Sequence, residues 1–143
     1  DKERTSAIIS LCSLLNSLLP ESQPYKNVYD AFEEFLNNIS LDNWIYLYIF
    51  FEIKLIKELG FDTNLRIYNK SYEKKDLFKK IEIDNFKYEV PIFLIKEEIP
   101  DNYSEVNIMK SLLFTRSILS NKFFLPNNLP FPKSRIIFEN YFN

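Results

Sequence analysis

The stretch Trp44-Ile45-Tyr46-Leu47-Tyr48-Ile49-Phe50-Phe51-Glu52-Ile53-Lys54-Leu55-Ile56-Lys57-Glu58-Leu59-Gly60 decides how this chain folds. Apolar side chains run unbroken from Trp44 to Phe51, so no polar face is left for water. A helix that is apolar nearly all round has to be wrapped by neighbours. A membrane span would need about 20 such residues, and here Glu52 and Lys54 interrupt the run, so no membrane crossing is expected. The pattern predicts a central core helix over residues 42–59, ended by Gly60 in the left-handed position that closes many helices.

The flanks supply the wrapping. Ile8, Leu11, Leu15 and Leu18 repeat at three and four, with Ala7 and Leu14 widening the stripe, which predicts a helix over 3–19 stopped by Pro20. Val28, Phe32, Phe35 and Ile39 mark a second helix over 24–39, with Pro24 in its first turn. Two helices joined this closely are expected to pack antiparallel. Downstream, Ser104 is a good N-cap for a helix over 104–123 whose inner side is Met109, Leu112, Leu113, Leu119 and Phe123. After Pro126 to Pro130 a short helix is expected over 132–142.

Between these helices the period changes. Ile81 and Ile83 alternate with Lys80 and Glu82, then Phe86, Tyr88 and Val90 alternate with Lys87 and Glu89. Asp84-Asn85 between them suits a two-residue turn, predicting a β-hairpin over 79–90. The Lys-rich stretch Lys70 to Lys75 reads as a solvated loop, because Glu73 and Asp76 interrupt it. The fold class is therefore mainly α: one domain over 1–143, a bundle of about five helices around the central one, with a small hairpin insertion.

Composition excludes several chemistries. One glycine among 143 residues cannot build a glycine-rich phosphate loop or a dinucleotide fingerprint. With no histidine and one cysteine, Cys12, neither a zinc site nor a base-activated nucleophile can be assembled, so no cofactor, no metal and no enzymatic activity are expected. A single thiol makes no intrachain disulfide, which fits a cytoplasmic protein.

Charge is uneven along the chain: 5 basic and 9 acidic side chains in residues 1–60, 8 and 8 in 61–100, and 5 and 3 in 101–143. The pI near 5.3 argues against an autonomous DNA-binding domain, which would show a strong basic excess.

The stretch Tyr48 to Phe61 resembles the pattern aromatic-Glu-(Leu/Ile)-x-Leu-Leu-x-x-Leu-Gly-(Tyr/Phe) of the bacterial RecO family of recombination mediators, followed as in that family by a leucine, Leu65. Leu18-Leu19-Pro20-Glu21 with Tyr29, Phe32 and Leu36 resembles the helical pair before it, and Phe131-Pro132-Lys133-Ser134-Arg135 resembles a Pro-x-Ser-Arg signature near the family's C-terminus. The resemblance implies a helical domain that follows an N-terminal OB-fold. It also implies DNA binding and annealing, and work with RecR to replace single-strand-binding protein by RecA. No five-stranded OB-fold can be read before the first helix, so that part is expected upstream of Asp1. The family's zinc-ligating cysteines are replaced here by Arg66, Ile67, Tyr68 and Asn69, so zinc is not carried over. The alternative is a helical scaffold or protein-interaction domain of unrelated ancestry.

Six charged residues stand out. Glu52 lies among Tyr48, Ile49, Leu55 and Ile56, where a carboxylate is costly unless paired. Arg116 interrupts the stripe between Leu112 and Leu119. The expectation is a buried Glu52–Arg116 ion pair with a structural role, Arg135 being the competing partner, in preference to Glu52 as a catalytic acid. Lys110, Lys122, Lys133 and Arg135 lie in the basic-leaning end. They are candidate contacts to DNA phosphates or to the acidic, hydrophobic tail of single-strand-binding protein, or else ordinary solvated charges.

Overall fold

The computed structural model describes residues 1–20 and 24–143; Glu21, which belongs to one of the motifs quoted above, lies outside them. Among the described residues, six α-helices and one hairpin follow in order: α1 (Lys2–Leu18), α2 (Lys26–Asn37), α3 (Trp44–Glu58), β1 (Phe78–Ile83), β2 (Phe86–Pro91), α4 (Ile92–Lys96), α5 (Glu105–Leu119) and α6 (Lys133–Asn140). Leu65–Tyr68 form a 3-10 turn, and Ser120–Phe124 continue α5 as one π-helical turn.

Helix α3 is the centre, as its composition demands. Trp44, Ile45, Tyr46, Tyr48, Ile49, Phe51, Glu52, Leu55 and Ile56 are all buried, and only the side carrying Leu47, Phe50, Lys54 and Lys57 is left partly open. It ends in a Schellman pattern. The Phe61 N–H donates to the Ile56 carbonyl at 3.2 Å and the Gly60 N–H to that of Lys57 at 2.9 Å, with Gly60 at φ 106°. A Cβ on Gly60 would meet nothing within 4 Å, so only backbone conformation calls for glycine there.

Three expectations change. Helix α1 does not make its main contact with α2: it lies along α6, while α2 lies along α3. Chain proximity lost to burial, because the buried face of α1 (Ala7, Ser10, Leu11, Leu14, Leu15) reaches Tyr48 of α3, with the Ser10 and Tyr48 hydroxyls 2.8 Å apart. The inner face of α5 is Ile108, Ser111, Leu112, Phe114, Thr115, Ile118 and Leu119; Leu113 is 40% exposed. Pro24 precedes α2 by two residues and does not occupy its first turn, since Tyr25 is the N-cap. The run Ile92–Ile95, a buried α-helical turn after Pro91, had no counterpart in the sequence reading, being too short to show a period.

The hairpin pairs antiparallel with Ile81 opposite Tyr88 and Ile83 opposite Phe86. Its turn residues Asp84 and Asn85 both take positive φ, 50° and 73°, the type I′ geometry that matches strand twist and favours Asp and Asn. The hairpin lies against α5 through β2. Of the alternating apolar side chains, Ile81 and Val90 are buried, whereas Phe86 is half-exposed.

Candidate functional site

Two groups of charged side chains have the geometry to be discussed as sites: a dry one between α3, α5 and α6, and a wet one between α5 and the hairpin.

In the dry group, Glu52 of α3 and Arg135 of α6 are both fully buried. Arg135 Nε donates to Glu52 Oε2 at 2.6 Å and Nη2 to Oε1 at 3.0 Å, the parallel two-point geometry that suits a guanidinium and a carboxylate. The remaining valences are filled as well. Tyr48 Oη donates to Oε2 at 2.8 Å and Thr115 Oγ1 to Oε1 at 2.7 Å. Since the single Tyr48 proton goes to the carboxylate, the Ser10 hydroxyl donates to the Tyr48 oxygen. Arg135 Nη1 donates to Glu139 Oε1 and Nη2 to the Leu112 carbonyl. Glu139 also accepts from Arg116 Nε at 2.9 Å.

The sequence expectation of a Glu52–Arg116 pair is thus corrected. Arg116 sits one residue past Thr115, about 100° round the helix from the inward stripe, and reaches Glu139 at the rim with its side chain 38% exposed. Arg135 takes Glu52 because the small side chains Ser111 and Thr115 leave room over α5 for a guanidinium arriving from α6. The same burial removes Arg135 from the candidate contacts to DNA or a partner. The residues that sequence reasoning missed are Glu139, Thr115, Tyr48 and Ser10. Glu139 carried a signal, four residues after Arg135 on one helix face.

Electrostatics follow burial. Loss of water alone would lower the Arg135 pKa, but Glu52, the Tyr48 oxygen and Glu139 outweigh it and push it above its ordinary value. The Tyr48 hydroxyl is held well above its usual range, first by burial and then by the Glu52 charge. Among these residues the carboxylates and guanidiniums balance two against two, and no side chain is left as an unpaired acid or nucleophile. The dry group therefore holds four helices together; it has no opening to a substrate.

In the wet group, Lys110 Nζ lies 3.3 Å from Glu89 Oε1 and 5.0 Å from the centre of the Phe78 ring. Lys122, in the π-helical turn, is paired with Asp84 of the hairpin turn and lies 4.8 Å above the Phe61 ring. Tyr88 and Ser117 hydroxyls meet at 2.9 Å between them. Lys133 stands apart, exposed at the start of α6. Lys70, Lys74 and Lys75 lie in exposed turns, as expected of a solvated loop. Among the described residues no cluster of three or more His, Cys, Asp and Glu side chains is placed to hold a metal. Among the described residues no helix is long and apolar enough to cross a membrane.

The family profile described as Recombination protein O C terminal matches residues 1–121. The chain belongs to the RecO family. That membership removes the alternative of unrelated ancestry. The DNA repair protein RecO of Wolbachia sp. subsp. Drosophila simulans (strain wRi) is 36% identical over 67 residues, 46% of this chain and 28% of that protein. The protein of the same name from Rhodospirillum centenum (strain ATCC 51521 / SW) is 33% identical over 61 residues, 43% of this chain and 24% of its own length. The match therefore spans about a quarter of these relatives. No solved structure matches the chain. The glutamate of the Tyr48 to Phe61 stretch, inside the matched residues, binds the arginine of Pro132-Lys133-Ser134-Arg135, which lies beyond them.

Proposed function

We propose that this RecO-family chain is the helical part of a DNA repair and recombination mediator. It binds and positions partners and nucleic acid without making or breaking covalent bonds, in the cytoplasm. The observation that carries this reading is the family match over residues 1–121. In this reading the protein supports the annealing of single strands and, with RecR, the loading of RecA on DNA covered by single-strand-binding protein.

The physics of the chain limits its own share of DNA binding. Net charge is −2, and Arg135 contributes nothing to the surface. The cations left near α5 are Lys110, Lys122, Lys87 and Arg116, and all but Lys87 have an acidic partner in hydrogen-bonding or ion-pair range. Non-specific affinity scales with the number of phosphates neutralised, so the chain alone binds a single-stranded oligonucleotide at best in the micromolar range near physiological salt.

Two measurements test the reading. RecA assembly on DNA coated with single-strand-binding protein, with RecR present, is expected to lose its lag when the protein expressed from the complete gene is added. An unchanged lag would refute the mediator role. Fluorescence anisotropy of the 143-residue chain with a labelled oligonucleotide is expected to show weak binding that vanishes as salt rises.

A further inference from the structure

We propose that the hairpin masks two cations carried by α5 and its π-helical extension: Asp84 and Glu89 occupy Lys122 and Lys110 in the way phosphates would, and a nucleic-acid backbone binds by displacing them. The proposal rests on the nucleic-acid reading above and adds its regulation.

Four observations carry it. Lys110 and Lys122 lie twelve positions apart on α5 and its π-helical extension, about 18 Å along the axis at ~1.5 Å per residue. Both are paired with a carboxylate of the same small element, Glu89 from β2 and Asp84 from the turn. Both lysine side chains are only partly exposed, 23% and 30%: Lys110 lies over the Phe78 ring of β1, and Lys122 over the Phe61 ring that follows α3. The charged side of the cover is the wet one: Asp84, Asn85, Phe86, Lys87 and Glu89 are exposed, while Ile81, Val90 and Tyr88, whose ring centre lies 5.1 Å from that of Phe114, fasten the hairpin to the body.

Between hairpin and helix lies a cleft of about 350 Å³ lined by Lys87, Glu89, Lys110, Leu113, Arg116 and Ser117. Its cations gather where the acidic side chains that cancel them come from the hairpin or, for Arg116, from Glu139 of α6. Ion pairs exposed to this degree are weak and screened by salt. A polyanion offering many phosphates at once can therefore replace two single carboxylates without disturbing the core. The exchange also gives a distinctive salt response. When a masked lysine turns to a phosphate, the carboxylate it leaves stays beside that phosphate and retains cations, so the net release is small and the masked chain shows a shallow dependence on salt.

The test is anisotropy with a labelled thirty-nucleotide oligothymidylate, at several salt concentrations, on the 143-residue chain. Asp84→Asn with Glu89→Gln removes the masking charges, and asparagine accepts the positive φ of position 84, so the turn is kept. This variant is expected to bind about tenfold tighter at low salt. Its slope of log affinity against log salt should steepen by about 1.4, the value for two more phosphates on a single strand. Glu33→Gln with Glu34→Gln, exposed on α2, makes the same change in net charge away from the hairpin and is expected to change little. Adding Lys110→Ala and Lys122→Ala to the unmasked variant should abolish the gain. If the wild-type chain binds and the unmasked variant is no tighter, or the α2 variant gains as much, masking is wrong while the nucleic-acid reading stands. If no variant binds even at low salt, both fall.

Discussion

In the helical body Glu52 and Arg135 meet with neither side chain exposed, whereas at the hairpin Asp84 and Lys122 remain 55% and 30% exposed. The two pairs use the same chemistry. In the first, water has been replaced by Tyr48, Thr115, Glu139 and a backbone carbonyl, so both carboxylate oxygens and all three guanidinium nitrogens have protein partners. In the second, water still supplies most of the solvation, and either partner can leave without exposing an unsatisfied charge. Burial, more than charge, decides which pair is permanent and which is exchangeable.

The largest expected effect comes from breaking the dry pair. Glu52→Leu and Arg135→Leu are each expected to cost about 3–5 kcal/mol, because each leaves the opposite charge buried. The double replacement should recover much of that loss, and a double-mutant cycle by urea unfolding measures the coupling. Strict additivity would show that the pair contributes nothing as a pair. The wet pair gives the contrast: Asp84→Asn, which keeps the positive φ of the turn, should cost under about 1 kcal/mol, with little coupling to Lys122→Ala.

Alkaline pH sharpens the same comparison. The Tyr48 pKa is raised in the folded chain, so the unfolded chain releases that proton first as pH climbs. Its contribution is fully present below about pH 10, the ordinary tyrosine value, and is lost as pH rises through the folded value. Unfolding midpoints are therefore expected to fall above about pH 10. Tyr48→Phe should cost about 1–2 kcal/mol at neutral pH and flatten that decline. It will not flatten it fully, since burial raises Tyr46 and Tyr103 as well. No difference in slope between the two proteins would mean that Tyr48 titrates as an exposed residue.

The smallest effect belongs to the hairpin turn. Asn85→Gly places the residue best suited to φ 73° at the second turn position and is expected to stabilise by a few tenths of a kcal/mol up to ~1. A thermal melt that shows destabilisation would argue that the Asn85 side chain holds the turn.

Much of this arrangement is legible in the sequence, and the failures have a common cause. The central helix, its Gly60 end and the I′ hairpin follow from local patterns: an unbroken apolar run, a lone glycine, and Asp-Asn between alternating residues. Glu52 was also legible as a charge in an apolar setting. Its partner was not, because that depends on which helix crosses α5 and where the small residues Ser111 and Thr115 open a space. A stripe read at three and four places Arg116 within one residue of the truth, and on a helix one residue is about 100°. The expected packing of α1 on α2 failed for the same reason, since the observed pairing of α1 with α6 is fixed by packing between distant segments.

The bond between Glu52 and Arg135 closes a separation of 83 residues along the chain. During synthesis at roughly 5–20 residues per second, the helix carrying the glutamate waits about 4–17 s for its arginine to be made. Over that interval the most apolar helix of the molecule carries an unanswered carboxylate, which keeps it hydrated and opposes premature collapse onto the wrong neighbour. The pair at the centre therefore cannot form until α6 has been made.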